Sequence, residues 1–137
     1  MKMICLLFFV LFISCGPEYK TTYYKATSLD KRDTAFLKLV TSKGTFYGDY
    51  RIRYDDKTED DGTITGNVRG DTLSGKFSYL SRDNVRTIAP IAFLKNGENL
   101  KLGTGVAGTY MGFHVYLGGS LSFGDSLFQF QPAEYQQ

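Results

Sequence analysis

The chain has a single histidine, His114, so any acid–base or metal chemistry that needs imidazole must pass through it. A hairpin about Gly118-Gly119 sets His114 opposite Phe123, on the same face as Tyr116 and Leu121, the setting of a half-buried core residue. No second histidine can share a metal with it, and no nucleophile elbow presents a serine for it to activate. The carboxylates crowd elsewhere, at Asp55, Asp56, Glu59, Asp60 and Asp61. With Gly62 in the glycine slot of an EF-hand, Lys57 would be the first ligand position and Val68 the last, so that register fails. A looser calcium loop stays open beside the commoner reading, a solvated hairpin loop. Gly103-Thr104-Gly105-Val106-Ala107-Gly108 matches the dinucleotide-binding GxGxxG string, which needs a helix N-terminus behind it to receive the pyrophosphate. Thr109-Tyr110-Met111-Gly112 and then more strand pattern follow, so the string reads as a glycine-rich connection. Arg69-Gly70-Asp71 spells the tripeptide that integrins read, but a tight turn already accounts for Gly70-Asp71. These residues disfavour an enzyme and imply no cofactor and no metal. A hydrolase built from carboxylates that folding brings together is the remote alternative.

The other reactive side chain sits at the N-terminus. Lys2 and the unbroken apolar run Met3–Ile13 make a targeting segment, too short for a membrane-spanning helix of about 20 residues. The run ends in Phe12-Ile13-Ser14-Cys15-Gly16, which resembles a bacterial lipobox, with phenylalanine in the place usually held by leucine. The resemblance implies that residues 1–14 are a lipoprotein signal peptide and that Cys15 carries the lipid. No Ala-x-Ala pattern supports ordinary signal cleavage. Cys5, the other of the 2 cysteines, falls in the removed segment, which leaves no internal disulfide and no thiolate metal site. Acyl chains contribute about 0.8 kcal/mol per buried CH₂, enough for several to hold the protein on a membrane without a spanning segment. Formal charge is +2 over 137 residues, and removal of Lys2 lowers it by one, so no strong field points to nucleic acid.

What positions these residues is a series of strands. The 15 glycines and 21 phenylalanines and tyrosines (11 and 10) against 3 prolines suit a tightly turned sheet. Residues 15–33 are expected to form the lipidated cysteine and a flexible tether, with an edge strand at Thr22–Ala26 as the alternative. The folded domain is expected over 34–137. Ala35–Ser42 and Thr45–Tyr54 fold about Lys43-Gly44, so that Leu37 faces Tyr50, Ala35 faces Ile52, and Lys38 meets Asp49 as an ion pair. Thr63–Arg69 and Thr72–Ser81 fold about Gly70-Asp71, with Val68 opposite Leu73, Gly66 opposite Gly75 and Ile64 opposite Phe77. Asn84–Lys95 and Asn99–Thr104 fold about Asn96-Gly97, placing Phe93 opposite Leu100 and Ile91 opposite Leu102. Phe113–Leu117, Leu121–Phe123 and Leu127–Gln131 complete the set. Every legible link joins neighbours, which predicts an all-β antiparallel meander closing into an up-and-down barrel of about eight strands. A β-sandwich is the alternative.

One face gathers Phe46, Tyr50, Ile52, Ile64, Val68, Leu73, Phe77, Tyr79, Val85, Ile91, Phe93, Leu100 and Leu102. The interleaved face carries Asp49, Arg51, Arg53, Thr65, Asn67, Arg69, Ser74 and Lys76. Gly48, Gly66 and Gly75 interrupt the inward set. They either let the sheet coil, with Tyr50 covering Gly66, or leave room for a ligand. A cavity, if present, would be lined by Tyr50, Phe77, Tyr79, Ile91 and Phe93.

The run Asp61-Gly62-Thr63-Ile64-Thr65-Gly66, then Arg69-Gly70-Asp71-Thr72-Leu73, Phe77-Ser78-Tyr79, Arg86–Phe93 and Leu102-Gly103-Thr104-Gly105 resembles small lipoproteins of Bacteroidetes-type bacteria. That resemblance covers about half the chain, implies an envelope location and transfers no activity. The architecture looks like lipocalins or avidins at fold level only. With 0 tryptophans the chain lacks the lipocalin Gly-x-Trp signature and the avidin biotin site. The expected protein is a non-enzymatic lipoprotein of the outer membrane. Surface-exported members of the group it resembles often carry an acidic pair just after the cysteine, and with Glu18 alone there the resemblance implies the periplasmic face. Its barrel binds a small apolar ligand or an envelope protein; the alternative is a structural or inhibitory lipoprotein with a packed barrel. Cys15→Ala is expected to move the protein from the membrane to the soluble fraction, and unchanged fractionation would overturn the anchor.

Overall fold

A computed structural model describes residues 14–135, so the apolar run of the expected signal segment lies outside the described residues. The described residues contain no helix. Ten strands form, β1 (Lys20–Thr27), β2 (Thr34–Ser42), β3 (Thr45–Arg53), β4 (Glu59–Arg69), β5 (Thr72–Leu80), β6 (Arg86–Asn96), β7 (Asn99–Leu102), β8 (Ala107–Tyr110), β9 (Phe113–Tyr116) and β10 (Gln129–Pro132). Eight of them close an antiparallel barrel in the order β1-β10-β7-β6-β5-β4-β3-β2. The sandwich alternative is thereby set aside. Strands β1 to β7 are a meander; β10 returns to close the ring, while β8 and β9 pair only with each other.

Alternation explains most of the ring. In β2 and β3 Leu37 lies opposite Tyr50 and Ala35 opposite Ile52, and in β4 and β5 Ile64 lies opposite Phe77. The turn residue Gly70 takes φ +58°, as a tight hairpin demands at its first position. Gly66 and Gly75 lie opposite each other at a close approach of β4 and β5. A Cβ on Gly66 would lie 2.2 Å from the Ser74 carbonyl oxygen, and one on Gly75 would lie 2.0 Å from that of Thr65.

Several expectations are corrected. Lys20–Thr27, assigned to the tether with an edge strand at Thr22–Ala26 as the alternative, is β1; it pairs with β2 along its whole length and with β10 on its other side, burying Ala26. Its connection to β2 turns through Lys31 at φ +60°, a left-handed position that no glycine marks. The β6–β7 turn is Gly97-Glu98, so Phe93 faces Leu102 and Lys95 faces Leu100. That slip of two residues leaves every side chain on its expected face. Val85 precedes β6 and is exposed rather than inward. Phe46, not Tyr50, lies across from Gly66; Tyr50 lies across from Gly62. Lys38 and Asp49 are opposite each other, yet the ion pair among the described residues is Arg53–Glu59 at 2.9 Å. Phe113–Tyr116 pairs with Ala107–Tyr110 about Met111-Gly112, whereas Leu121–Phe123 forms no strand and contributes only the Ser122–Thr104 bridge.

The barrel strands and the buried core among the described residues lie within Lys20–Pro132, so a chain beginning at Gly16 carries the whole barrel. Gly66→Ala is expected to cost about 1–3 kcal/mol, because the new methyl group meets backbone that cannot yield without parting β4 from β5. A urea midpoint equal to that of the parent would contradict this close approach.

Candidate functional site

The five residues expected around a cavity are all in or against the barrel core. Tyr50, Phe77, Ile91 and Phe93 are buried, and Tyr79 packs against them half-buried. Tyr50 meets Phe77 at 4.8 Å between ring centroids, Phe93 at 6.2 Å and Phe130 at 5.9 Å, while Phe77 stacks on Tyr79 at 4.2 Å. Phe130 closes the group, 5.7 Å from Phe93. These tilted, edge-on and stacked contacts, each worth about 0.5–1.5 kcal/mol beyond burial, occupy the barrel axis with side chains. Phe130 was legible only as one residue of the last strand. Its central place follows from β10 lying between β7 and β1, which no local pattern announces.

The Tyr50 hydroxyl is buried and has no hydrogen-bond partner among the described residues. Burial, followed by the nearby Tyr54, Tyr116 and Asp60, pushes this phenol far above the ordinary tyrosine range. At the end of the barrel where β3 gives way to β4, Tyr54 Oη donates to Asp60 Oδ2 at 2.6 Å, and the Arg82 backbone N–H donates to Asp60 Oδ1 at 2.8 Å. The Arg82 guanidinium lies over the Tyr54 ring at 4.7 Å. Burial, then the bond to Asp60, raises the Tyr54 phenol too. The acidic stretch is thus dispersed: Asp60 holds Tyr54 and Arg82, Glu59 holds Arg53, and Asp56 accepts from Thr58. No cluster of three potential metal ligands occurs among the described residues.

On the outer wall, one groove runs under the β8–β9 hairpin and has a volume of about 790 Å³. Its position follows from the ladder. Strand β6 starts at Arg86, but β7 accompanies it only over Phe93–Asn96. Pro90, which has no N–H to offer, lies in the part of β6 that lacks this neighbour. The chain leaves β7 there, with the Gly103 N–H bonded to the Ala92 carbonyl at 2.8 Å, and folds back as the β8–β9 hairpin, with β9 against β6 and β5. The Leu117 N–H bonds the Val106 carbonyl and Ser120 Oγ donates to the Leu117 carbonyl, fixing the hairpin base. Leu121 packs over Gly103 beside Ala92.

His114 lies in this hairpin. It is opposite Thr109, not Phe123, and it is exposed rather than half-buried in the core, because β9 pairs with β8. It lines the groove together with Lys76, Ile88, Pro90 and Val115. The Gly103–Gly108 string runs from the end of β7 into strand β8, so no helix stands behind it. A second outer groove, of about 430 Å³, borders Phe36 on β2, where the cations of Lys25, Arg51 and Arg53 stand 5.4–5.8 Å from its ring. Cys15 is exposed and free of any disulfide. No protein-family model matches the chain, and no curated protein or solved structure matches it either.

The orphaned hydroxyl sets an expectation. Tyr50→Phe is expected to raise stability by about 1 kcal/mol at pH 7, since it removes a buried polar group without a partner. A folded phenol whose proton is held above the unfolded value stabilises fully below pH about 10; that contribution is lost as pH rises and the unfolded chain ionises. The alkaline loss in urea midpoint should therefore be smaller in Tyr50→Phe than in the parent. A variant that is less stable at pH 7 and equally sensitive to alkali would refute the assignment.

Proposed function

We propose that this chain is a non-enzymatic lipoprotein of the bacterial outer membrane, held on the periplasmic face by acyl chains on Cys15, whose packed barrel binds a small apolar ligand on its outer wall. The observation that carries this reading is the division of space: aromatic side chains fill the axis, while the groove under the β8–β9 hairpin is open and largely apolar. Its volume lies inside the roughly 300–1,000 Å³ range of small-molecule sites. The tether is short in this reading. Only Gly16 to Tyr19 separate Cys15 from β1, a reach of roughly 15–20 Å from residue to residue. Strand β1 begins beside the end of β2, so the anchor holds the barrel by the end that carries the turns at Lys43-Gly44 and Gly70-Asp71. The groove then lies on the flank of an upright barrel, reachable from the aqueous side.

A protein partner is the second reading, and a separate observation favours it. Tyr110, Met111 and Phe113, at the tip of the hairpin, expose 69–80% of their surface. A cluster of that kind marks a contact face more often than a free surface.

The test uses the chain beginning at Gly16 and the neutral fluorophore N-phenyl-1-naphthylamine. The parent is expected to bind it with enhanced fluorescence, and Ile88→Asp to lose that binding. Ile88 is 45% exposed, so the substitution leaves the barrel core untouched. Retention of the signal in Ile88→Asp, or its absence in the parent, would sink the groove as the binding site.

A further inference from the structure

Cross-strand register gives the groove two unlike sides. On β4 and β5 the outward row pairs Thr65 with Lys76 and Asn67 with Ser74. Continuing the same rows onto β6, Lys76 faces Pro90 and Ser78 faces Ile88. The side of the groove toward β4 and β5 is therefore polar, and the side toward β6 is apolar. The hairpin roof continues the division: Val115, Leu117 and Leu121 add apolar surface, while His114 adds a polar ring. Among the described residues no carboxylate lines the groove. Its one full charge is Lys76, exposed on β5 and without an ion pair among the described residues.

We infer that the ligand of this groove is a single-chain amphiphile with an anionic head, of the long-chain carboxylate class. The inference rests on the outer-wall reading given above and adds the chemistry of the occupant. An alkyl chain suits the strip between β6 and the roof, where apolar atoms on both sides remove it from water. A carboxylate suits the opposite strip, where the Lys76 ammonium supplies a charge-assisted hydrogen bond and Thr65, Asn67 and Ser74 supply neutral donors. A neutral head would forgo the charge-assisted hydrogen bond to Lys76, and a cationic head would be repelled by it. The absence of any lining acid removes the usual competitor for the ammonium, so its charge is available to the ligand. Entry needs no opening of the barrel. The roof hairpin is outside the closed ring and is held at its base by a few bonds around Val106, Leu117 and Ser120, so it can lift there while the ring stays closed.

Decanoate and 1-decanol separate the two parts of the argument, since they share a chain and differ in the head. Titration calorimetry on the chain beginning at Gly16 is expected to give one decanoate site, with 1-decanol binding about tenfold or more weakly. Lys76→Met should erase that preference, lowering decanoate affinity about tenfold while leaving 1-decanol unchanged. Lys76 is exposed on the outer wall, so the variant keeps the core, and a matching urea midpoint verifies it. Raised ionic strength should weaken decanoate alone. Equal affinity for the two probes in the parent, or undiminished decanoate binding in Lys76→Met, would overturn the anionic head while leaving an apolar groove ligand standing. Failure of both probes to bind would overturn the inference and the outer-wall reading together.

Discussion

Tyr50 meets Phe77, Phe93 and Phe130 inside the barrel, and that contact constrains nearly everything else. The four rings come from β3, β5, β6 and β10, so their packing exists only when the sheet has closed. An eight-stranded ring has an interior about wide enough for side chains alone. Filling it with large rings demands relief elsewhere, and the sheet supplies it where glycine faces glycine, at Gly66 and Gly75. There β4 and β5 approach too closely for even a methyl group. Bulk at the axis and absence of bulk in the wall are two sides of one packing solution. The unpartnered Tyr50 hydroxyl shows its limit, because a ring placed for packing has carried a polar atom into apolar surroundings.

Closure has a second consequence at the seam. Strands β7 and β10 are short, with four residues each, while β6 runs for eleven. The mismatch leaves the early part of β6 without a neighbour on one side, and an unpaired strand edge is a template for unwanted pairing. Two features blunt it. Pro90 withholds a donor, and the β8–β9 hairpin with Leu121 covers the adjoining outer wall, burying Ala92 completely although that residue points away from the core. The groove is the space left where a two-stranded flap crosses a curved wall. It arises from protecting the edge rather than from hollowing the barrel.

How much of this the sequence discloses depends on where the information lies. The Lys43-Gly44 and Gly70-Asp71 hairpins carry both a turn signal and matched apolar faces, and their registers are read correctly to the residue. Asn96-Gly97 misleads by two positions, because asparagine and glycine suit the turn that Gly97-Glu98 makes instead; period-2 alternation hides the slip. Strand β1 is legible only as the alternative at Thr22–Ala26, since its turn uses Lys31 in a left-handed conformation and its partner β10 lies at the far end of the chain. Gly118-Gly119 is the more conspicuous turn, yet Met111-Gly112 makes the hairpin and carries His114 with it to the surface. The five inward residues Tyr50, Phe77, Tyr79, Ile91 and Phe93 are legible as neighbours. Whether neighbours enclose space or fill it depends on Phe130, which arrives from another part of the chain.

The place of the β8–β9 hairpin outside the ring also divides the molecule's stability unequally. The barrel ladders are long and continuous from β1 to β6, so their opening requires loss of the shared core. The hairpin adds only four pairs of its own and a base held by a few bonds around Val106, Leu117 and Ser120. Elements with few buried contacts and exposed backbone bonds open at much lower free energy than the core they rest on. A ligand that lifts the flap therefore leaves the aromatic axis undisturbed, and a ligand inside the axis would have to displace it. The first arrangement lets the hairpin move while the barrel ring stays closed. The same few bonds make the flap the place where occupancy of the groove would be felt, since the roof shares its backbone with the exposed tip at Tyr110, Met111 and Phe113. Ligand and partner faces would then be two sides of one hairpin, coupled by how far it stands from the wall.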